Sequence, residues 1–172
     1  MSEQPRKSVV VAGATGYLGK YVVKAFQQQG YYVRVLTRSR ERLFEPGPVT
    51  APALTEEDFD DVFIGEITRP ETLQGLLDGI DTVFSSVGIS RQRDRLTFEQ
   101  VDYQCNKNLI DLCEGTGVKK FTYVSMQGAE NIMDLAITQA HEKVVQALQS
   151  SPLEYRIVRP CGYFSDMGVL YD

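Results

Sequence analysis

Two alternating hydrophobic patterns run along the chain. Short segments rich in apolar and β-branched residues predict strands at 8–12, 31–36, 61–64, 81–87, 119–125 and 154–159. Between them, apolar residues recur every three or four positions and predict helices at 17–29, 70–77, 97–114 and 138–149. Strands that alternate with helical crossovers predict an α/β fold whose doubly wound parallel sheet contains about six or seven strands.

The stretch 40–60 interrupts this alternation. It contains Pro46, Gly47, Pro48 and Pro52, which disfavour regular structure, so we expect a loop or an insertion rather than a second domain. The chain has 172 residues, of which 42% are apolar, and this is enough to bury one sizeable core. We therefore predict a single domain over 1–172.

A glycine-rich turn follows the first predicted strand. Its sequence is Gly13-Ala14-Thr15-Gly16-Tyr17-Leu18-Gly19, and the predicted helix begins within it. Glycines here let the backbone turn sharply and approach a pyrophosphate, while the first amides of the helix point at the phosphates. The pattern predicts a Rossmann-type dinucleotide site formed by Gly13, Thr15, Gly16, Tyr17, Leu18 and Gly19. The alternative is a strand-to-helix turn without a ligand.

The end of the second predicted strand bears on the choice of cofactor. NAD enzymes place a carboxylate there to bind the ribose 2′-hydroxyl, whereas this chain has Thr37-Arg38-Ser39. The guanidinium of Arg38 can pair with a 2′-phosphate, with help from Ser39 or Arg42. We therefore expect NADP(H) in preference to NAD(H). The alternative for Arg38 is a solvated surface arginine.

Charge and cysteine content exclude several classes of function. The formal net charge is −5, which argues against nucleic-acid and membrane-surface partners. The chain begins with polar residues and has no apolar run of membrane-spanning length, so a cytoplasmic protein is expected. Its single histidine and the absence of a C-x-x-C pair make a metal site improbable, and Cys161 is expected to be buried.

Several further motifs are spread over almost the whole chain. They resemble those of the atypical short-chain dehydrogenases of the NmrA-like, NAD(P)-binding group. Besides the glycine turn, they are Leu36-Thr37-Arg38, Gly65-Glu66-Ile67-Thr68, Val83-Phe84-Ser85-Ser86-Val87-Gly88, the segment 117–125 and Val158-Arg159-Pro160. The resemblance implies an NAD(P)(H)-binding Rossmann fold. Members of the group range from reductases and isomerases to redox-sensing regulators.

The resemblance also implies roles for individual residues. Glu66 and Ile67 would lie beside the adenine. Ser125 stands where the family has a catalytic or nicotinamide-proximal serine, and Lys143 resembles the lysine that holds the nicotinamide ribose. The remaining positions expected to line the cofactor are Ser86, Val87, Gly88, Pro160, Cys161, Gly162 and Tyr163.

The chain departs from the wider family at the proton-transferring tyrosine. That tyrosine lies four residues before the lysine, and position 139 here is Gln139, whose amide cannot exchange a proton at neutral pH. His141 is an alternative, but residues two apart on a helix point in different directions, so His141 and Lys143 should not both face the nicotinamide. Tyr163 is a further candidate, whereas Tyr123 is expected in the core.

Two more features affect the expected substrate site. Arg91, Arg93 and Arg95 follow the fourth strand and either receive an anionic group or form a solvated loop. Relatives in the group continue for a substrate lobe beyond the Arg-Pro strand, whereas this chain ends at Asp172. We therefore expect the substrate lobe to be short or missing, in a short member or in the N-terminal part of a longer protein.

Two functions remain open at this point. The first is an NADP(H)-dependent oxidoreductase that acts on an unidentified small molecule, with Ser125 and Lys143 near the reaction. The second is a non-catalytic NADP(H)-binding redox sensor or scaffold with a protein partner. Either would act as a monomer or a homodimer.

Overall fold

A computed structural model describes residues 6–89 and 96–163. In this part of the chain six strands form one sheet in which every neighbouring pair is parallel. The strands are β1 (Ser8–Ala12), β2 (Tyr32–Thr37), β3 (Asp61–Ile64), β4 (Thr82–Ser85), β5 (Lys120–Val124) and β6 (Glu154–Val158). The predicted parallel α/β sheet is confirmed.

The order of the strands across the sheet is β3-β2-β1-β4-β5-β6. The chain moves outward from β1 to β3 on one side, then returns and moves outward from β4 to β6 on the other. Val11 of β1 therefore pairs with Val35 of β2 and with Phe84 of β4. This reversal is the switch point at which open α/β sheets bind ligands, beyond the carboxyl ends of the strands.

Helices cover both faces of the sheet. The α-helices are α1 (Tyr17–Gln28), α2 (Glu41–Phe44), α3 (Cys105–Cys113) and α4 (Ala136–Gln149). A π-helical turn, Glu99–Gln104, leads directly into α3. Short 3₁₀ turns lie at Pro48–Thr50, Glu56–Asp58, Pro70–Leu73 and Ala129–Asn131.

The hydrophobic core has one layer on each side of the sheet. On one face, Val10 and Phe121 pack with Leu109 of α3 and Val144 of α4. On the other face, Val9, Val11 and Val33 pack with Val23 of α1 and with apolar residues from the segment 43–59. Both faces of β1 are therefore covered, which is why its sequence is a continuous apolar run.

Two predicted elements differ in the structure. The helix expected over 70–77 is only the 3₁₀ turn Pro70–Leu73 followed by turns, because Gly75 adopts a positive φ of 83° and ends the helical path. The stretch 40–60, expected to lack regular structure, contains α2, a single helical turn before the first proline. In the part of the chain described here, no helix has the length and apolar character needed to cross a membrane.

Candidate functional site

The glycine turn joins β1 to α1 at the switch point. Gly13 has a φ of +88°, and its carbonyl accepts the amide of Gly16 at 2.9 Å. A Cβ on Gly19 would lie 2.0 Å from the Gly13 oxygen, so the first turn of α1 packs against the loop only because no side chain is present there. The N-terminus of α1 has no side-chain cap and no acidic residue in its first turn, which leaves its amides available to an anion.

Two pockets open on either side of this turn. The first pocket has a volume of about 280 Å³ and lies toward β2 and β3. The second pocket has a volume of about 520 Å³ and lies toward β5 and β6. Both are lined by Gly16 and by Ser86, Val87, Gly88 and Ile89 after β4, so they are two halves of one groove.

Nearly every residue predicted to bind the cofactor lines this groove. The first pocket contains Gly13, Thr15, Arg38, Glu66 and Ile67. The second contains Tyr17, Leu18, Gly19, Ser125, Pro160, Cys161, Gly162 and Tyr163. The strand order brings these positions together, because the carboxyl ends of parallel strands meet at one edge of the sheet.

Lys143 is the predicted site residue that the structure does not bring to the groove. Its ammonium lies 2.8 Å from both carboxylate oxygens of Glu99 and 5.4 Å from the ring centre of Tyr103. Its side chain is about half exposed and lines neither pocket. Gln139 is exposed as well, and its amide donates to the Met133 carbonyl. Lys143 and Gln139 therefore share a side of α4 that faces away from the groove.

The side of α4 that faces the second pocket presents Ile137 and His141. These two residues are four positions apart, the spacing expected for the family's tyrosine and lysine. Their two-residue offset from Gln139 and Lys143 places them on a different side of the helix. His141 thus occupies the place that sequence reasoning gave to Lys143.

His141 belongs to a buried polar cluster. Its Nδ1 lies 2.7 Å from the hydroxyl of Tyr123, and its Nε2 lies 3.6 Å from Oδ1 of Asp102. Burial lowers the pKa of His141 to about 4 and raises the pKa of Tyr123. Both side chains are therefore neutral at neutral pH.

Asp102 was missed by the sequence reasoning. It lies in the π-helical turn before α3, is 1% exposed, and accepts the amide of Ile89 at 3.2 and 3.3 Å. Burial raises its pKa to about 7, so it is partly protonated at neutral pH. The sequence offered one signal for it. Asp102 lies next to the apolar stripe of a predicted helix, four residues before Asn106, which is also buried in the structure, and this spacing places both polar side chains on the same side of the helix.

Ser125 is buried at the end of β5. Its amide donates to the Val158 carbonyl at 2.8 Å, but its hydroxyl has no hydrogen-bond partner among the described residues. Buried polar groups are normally hydrogen-bonded. Because the hydroxyl belongs to a residue that lines the second pocket, a polar ligand bound there can supply its partner.

Two cysteines line the groove, one in each pocket. Cys105 lines the first pocket, and burial raises the pKa of its thiol to about 11, which leaves it unreactive. Cys161, expected to be buried, is exposed because it follows β6 at the rim of the second pocket. Arg91, Arg93 and Arg95 lie outside the described residues.

Comparison with known proteins agrees with this geometry. A protein-family model described as NAD(P)H-binding matches residues 13–169. The photosystem II assembly factor Ycf39 of Cyanophora paradoxa is 29% identical over 160 residues, which cover 93% of this chain and 47% of that protein. The chloroplastic divinyl chlorophyllide a 8-vinyl-reductase of Arabidopsis thaliana is 26% identical over 171 residues, covering 94% and 40%. The chain thus spans about half the length of the curated relatives it matches.

The fold is shared with enzymes whose structures are known. The Bordetella bronchiseptica enzyme WbmG, solved in complex with NAD, superposes with a TM-score of 0.68 at 16% identity, covering 92% of this chain and 54% of that one. The family match extends over most of the chain and includes both pockets. The chain therefore belongs to the NAD(P)H-binding family whose model matches residues 13–169, and it has a Rossmann-type fold.

Proposed function

We propose that this protein binds NADP(H) and acts as an oxidoreductase on a small molecule. The observation that carries the choice of cofactor is the pair of arginines, Arg38 and Arg42, in the lining of the first pocket beyond β2. Glu66 is the carboxylate among the described lining residues of this pocket, and it lies after β3, where it accepts the Thr68 hydroxyl. The β2 end therefore offers positive charge to a 2′-phosphate.

The rest of the groove fits the same dinucleotide. The glycine turn and the uncapped start of α1 provide amides for a pyrophosphate between the two pockets. Ile67 and Val87 give the first pocket apolar surface for an adenine, and Ser125 gives the second pocket a polar group at the nicotinamide end. When bound, NADPH would supply a hydride in the second pocket.

Cofactor preference can be tested with single arginine substitutions. We expect Arg38→Gln and Arg42→Gln each to weaken NADPH binding by about 10- to 100-fold, because each removes a charge-assisted hydrogen bond to phosphate. Binding of NADH should change little. Isothermal titration with both cofactors measures the effect.

Arg40→Gln is the matched control. Arg40 lies between the two arginines in the sequence, but it pairs with Glu56 at 2.7 and 2.8 Å and does not line the pocket. It should leave NADPH affinity unchanged. Equal affinity of the wild type for NADPH and NADH would overturn the NADP(H) proposal.

The second candidate is a non-catalytic NADP(H)-binding module that scaffolds or senses. It is favoured by the relatives described as assembly factors, and by Ile137, an apolar residue at the groove position where a tyrosine is expected. NADPH binding without oxidation by any carbonyl or quinone acceptor would support this candidate. Consumption of NADPH that is lost on substitution of a second-pocket residue would support the enzyme.

We also propose a cytoplasmic location and a monomer or homodimer. The supporting observation is the formal net charge of −5, which argues against a membrane-surface partner. Light scattering coupled to size-exclusion chromatography measures the oligomeric state, and a fluorescent fusion in the source cells reports the compartment.

A further inference from the structure

Three neutral or near-neutral polar side chains meet at the wall of the second pocket. They come from separate elements: Tyr123 from β5, His141 from α4 and Asp102 from the turn before α3. Their exposed fractions are 0%, 8% and 1%. His141 and Asp102 also line the pocket. Burying polar side chains costs stability that apolar side chains of the same volume would not cost. Such a cluster at a pocket therefore indicates a functional role.

The contact with Tyr123 favours one of the two neutral tautomers of His141. The Tyr123 hydroxyl has one proton, and Nδ1 of His141 is its hydrogen-bond partner at 2.7 Å among the described residues. If this hydroxyl donates to Nδ1, its proton is satisfied and the neutral imidazole carries its own proton on Nε2. The Nε2–H then points toward Asp102.

The distance between His141 and Asp102 allows one ligand oxygen to contact both side chains. Nε2 and Oδ1 are 3.6 Å apart, which is too long for a direct hydrogen bond, so an oxygen atom beside them can contact both groups. Burial raises the pKa of Asp102 to about 7, and a protonated Asp102 is a second donor. The two groups can therefore donate two hydrogen bonds to one oxygen.

The other charged groups near His141 are already paired with one another. Glu142 and Arg159 both influence the pKa of His141, in opposite directions. Arg159 lies 2.6 Å from Glu142 and 2.9 Å from Glu130. Lys143 is held by Glu99. These pairs leave Asp102 as the carboxyl beside the imidazole at the pocket.

We propose, on the basis of the proposed oxidoreductase function, that Asp102 and His141 receive the oxygen of a carbonyl or quinone substrate in the second pocket. Asp102 donates the proton, and the Nε2–H of the neutral His141 polarises the C=O bond. Tyr123 is a positioning residue that fixes the histidine tautomer. This arrangement replaces the tyrosine that α4 lacks at the groove.

Reduction of the carbonyl needs one hydride and one proton. Bound NADPH would supply the hydride to the carbonyl carbon, and the electron pair of the C=O π bond would move to the oxygen. That oxygen takes the proton of the Asp102 carboxylic acid and becomes a hydroxyl, while Asp102 becomes a carboxylate. Asp102 then regains a proton from water, and His141 stays neutral throughout.

The lining of the second pocket also defines the body of the substrate. Its described residues include Val49, Val124, Met126 and Ile137, and no lysine or arginine is among them. Among these described residues, a carboxylate or phosphate would have no cationic partner. We therefore assign the pocket to an uncharged, largely apolar carbonyl compound or quinone.

The first test is spectroscopic and needs no substrate. His141 is the single histidine of the 172-residue chain, so the ¹⁵N resonances of its imidazole are assigned without ambiguity in this chain. We expect a neutral imidazole protonated at Nε2 above about pH 5, with its nitrogen shifts following a step near pH 7 as Asp102 titrates. The step should vanish in Asp102→Asn, and Tyr123→Phe should mix the two tautomers.

Asp111→Asn is the matched control for the carboxyl substitution. Asp111 lies on α3 but is half exposed and pairs with Lys107 at 2.5 Å, away from the pocket. It should leave the step unchanged. An imidazolium at pH 6, or a step that persists in Asp102→Asn, would overturn the proposed donor pair.

The second test is kinetic and uses menadione, 9,10-phenanthrenequinone and benzaldehyde as probes. Asp102→Asn should lower kcat by about 100-fold or more, because proton donation is lost, while NADPH affinity stays within about twofold of wild type. Asparagine keeps an oxygen for the Ile89 amide, so the loop that lines the groove is retained. In the wild type, kcat should fall above about pH 7, where Asp102 loses its proton.

His141→Gln provides a second variant if Asp102→Asn is poorly folded. It should also lower kcat, by about 10-fold or more. Turnover unaffected by both substitutions would overturn the catalytic roles. A wild type that binds NADPH but reduces none of the probes would overturn the substrate class. A wild type that does not bind NADPH would instead overturn the proposed function.

Discussion

At the residue scale, burial acts in opposite directions on Asp102 and His141. Both side chains lie in the same cluster, and in each case burial penalises the charged form. For the acid, burial raises the pKa from 3.8 to about 7, and for the base, it lowers the pKa from 6.5 to about 4. At neutral pH a part of the molecules therefore has two neutral donors facing one pocket, and this part grows as the pH falls toward 5.

These shifts predict how stability depends on pH. Between about pH 4 and pH 7 the folded state holds more protons on Asp102 than the unfolded state, so this contribution falls as pH rises. For His141 the unfolded state holds more protons between about pH 4 and pH 6.5, so its contribution is complete above that range and is lost on acidification. In the wild type the two contributions largely cancel.

When one of the two groups is substituted, the pH dependence that the other group gives to stability should become measurable. The free energy of unfolding of Asp102→Asn, relative to wild type, should rise by roughly 2–4 kcal/mol from pH 4 to pH 7. The same difference for His141→Gln should fall with pH over this range. Urea denaturation at a series of pH values measures both, with Asp111→Asn as a flat reference. Slopes of the same sign for both variants would contradict the assignment.

At the scale of elements, the short helix α2 is stabilised by a side chain from α1. The ammonium of Lys20 donates to the carbonyls of Leu43 at 2.7 Å, Glu45 at 2.9 Å and Arg42 at 3.3 Å. These carbonyls lie at the C-terminal end of α2, where intrahelical partners are missing. Lys20 is fully buried, and burial lowers its pKa. It thereby positions the segment that bears Arg42.

We expect Lys20→Met to destabilise the fold by about 2–4 kcal/mol, because it removes three hydrogen bonds from a charged donor to backbone carbonyls of 42–45. It should also weaken NADPH binding more than NADH binding, since Arg42 loses its support. Lys24→Met is the control, because Lys24 lies one turn further along α1 and forms a partly exposed pair with Asp58. It should cost about 1 kcal/mol or less. Thermal unfolding and cofactor titration measure both; equal losses for the two variants would refute the role of Lys20.

At the scale of the whole molecule, the groove crosses the sheet between β1 and β4, so a bound dinucleotide would contact both halves of the chain. Ligand that binds only the folded state stabilises it, by about 2.7 kcal/mol at 100 times the Kd. For a domain of this size we expect NADPH at that excess to raise Tm by about 5–10 °C. Differential scanning fluorimetry measures the shift. NADH at the same concentration should give a smaller one, and an equal shift would argue against a 2′-phosphate site.

Much of this architecture is predictable from local sequence. The apolar segments predict six strands, and the run in β1 is continuous because β1 is buried on both faces, whereas the edge strands β3 and β6 are partly exposed. The glycine turn is recognisable because a side chain at Gly19 would collide with the Gly13 carbonyl. The lining residues that follow β2, β3 and β4 are also predictable, because the carboxyl ends of parallel strands meet at one edge of the sheet. The helix expected over 70–77 was wrong because Gly75 adopts a positive φ, so the helical path does not extend beyond the 3₁₀ turn Pro70–Leu73.

What the sequence alone determined is the parallel sheet and the dinucleotide groove, since both depend on periodicity and on glycines at fixed spacing. Only the tertiary structure decided which side of α4 faces the second pocket and therefore that His141, not Lys143, lines it. It also brought Asp102 to that pocket from a different helix. Side-chain direction and the meeting of distant segments depend on packing across the whole fold, and no local pattern contains that information.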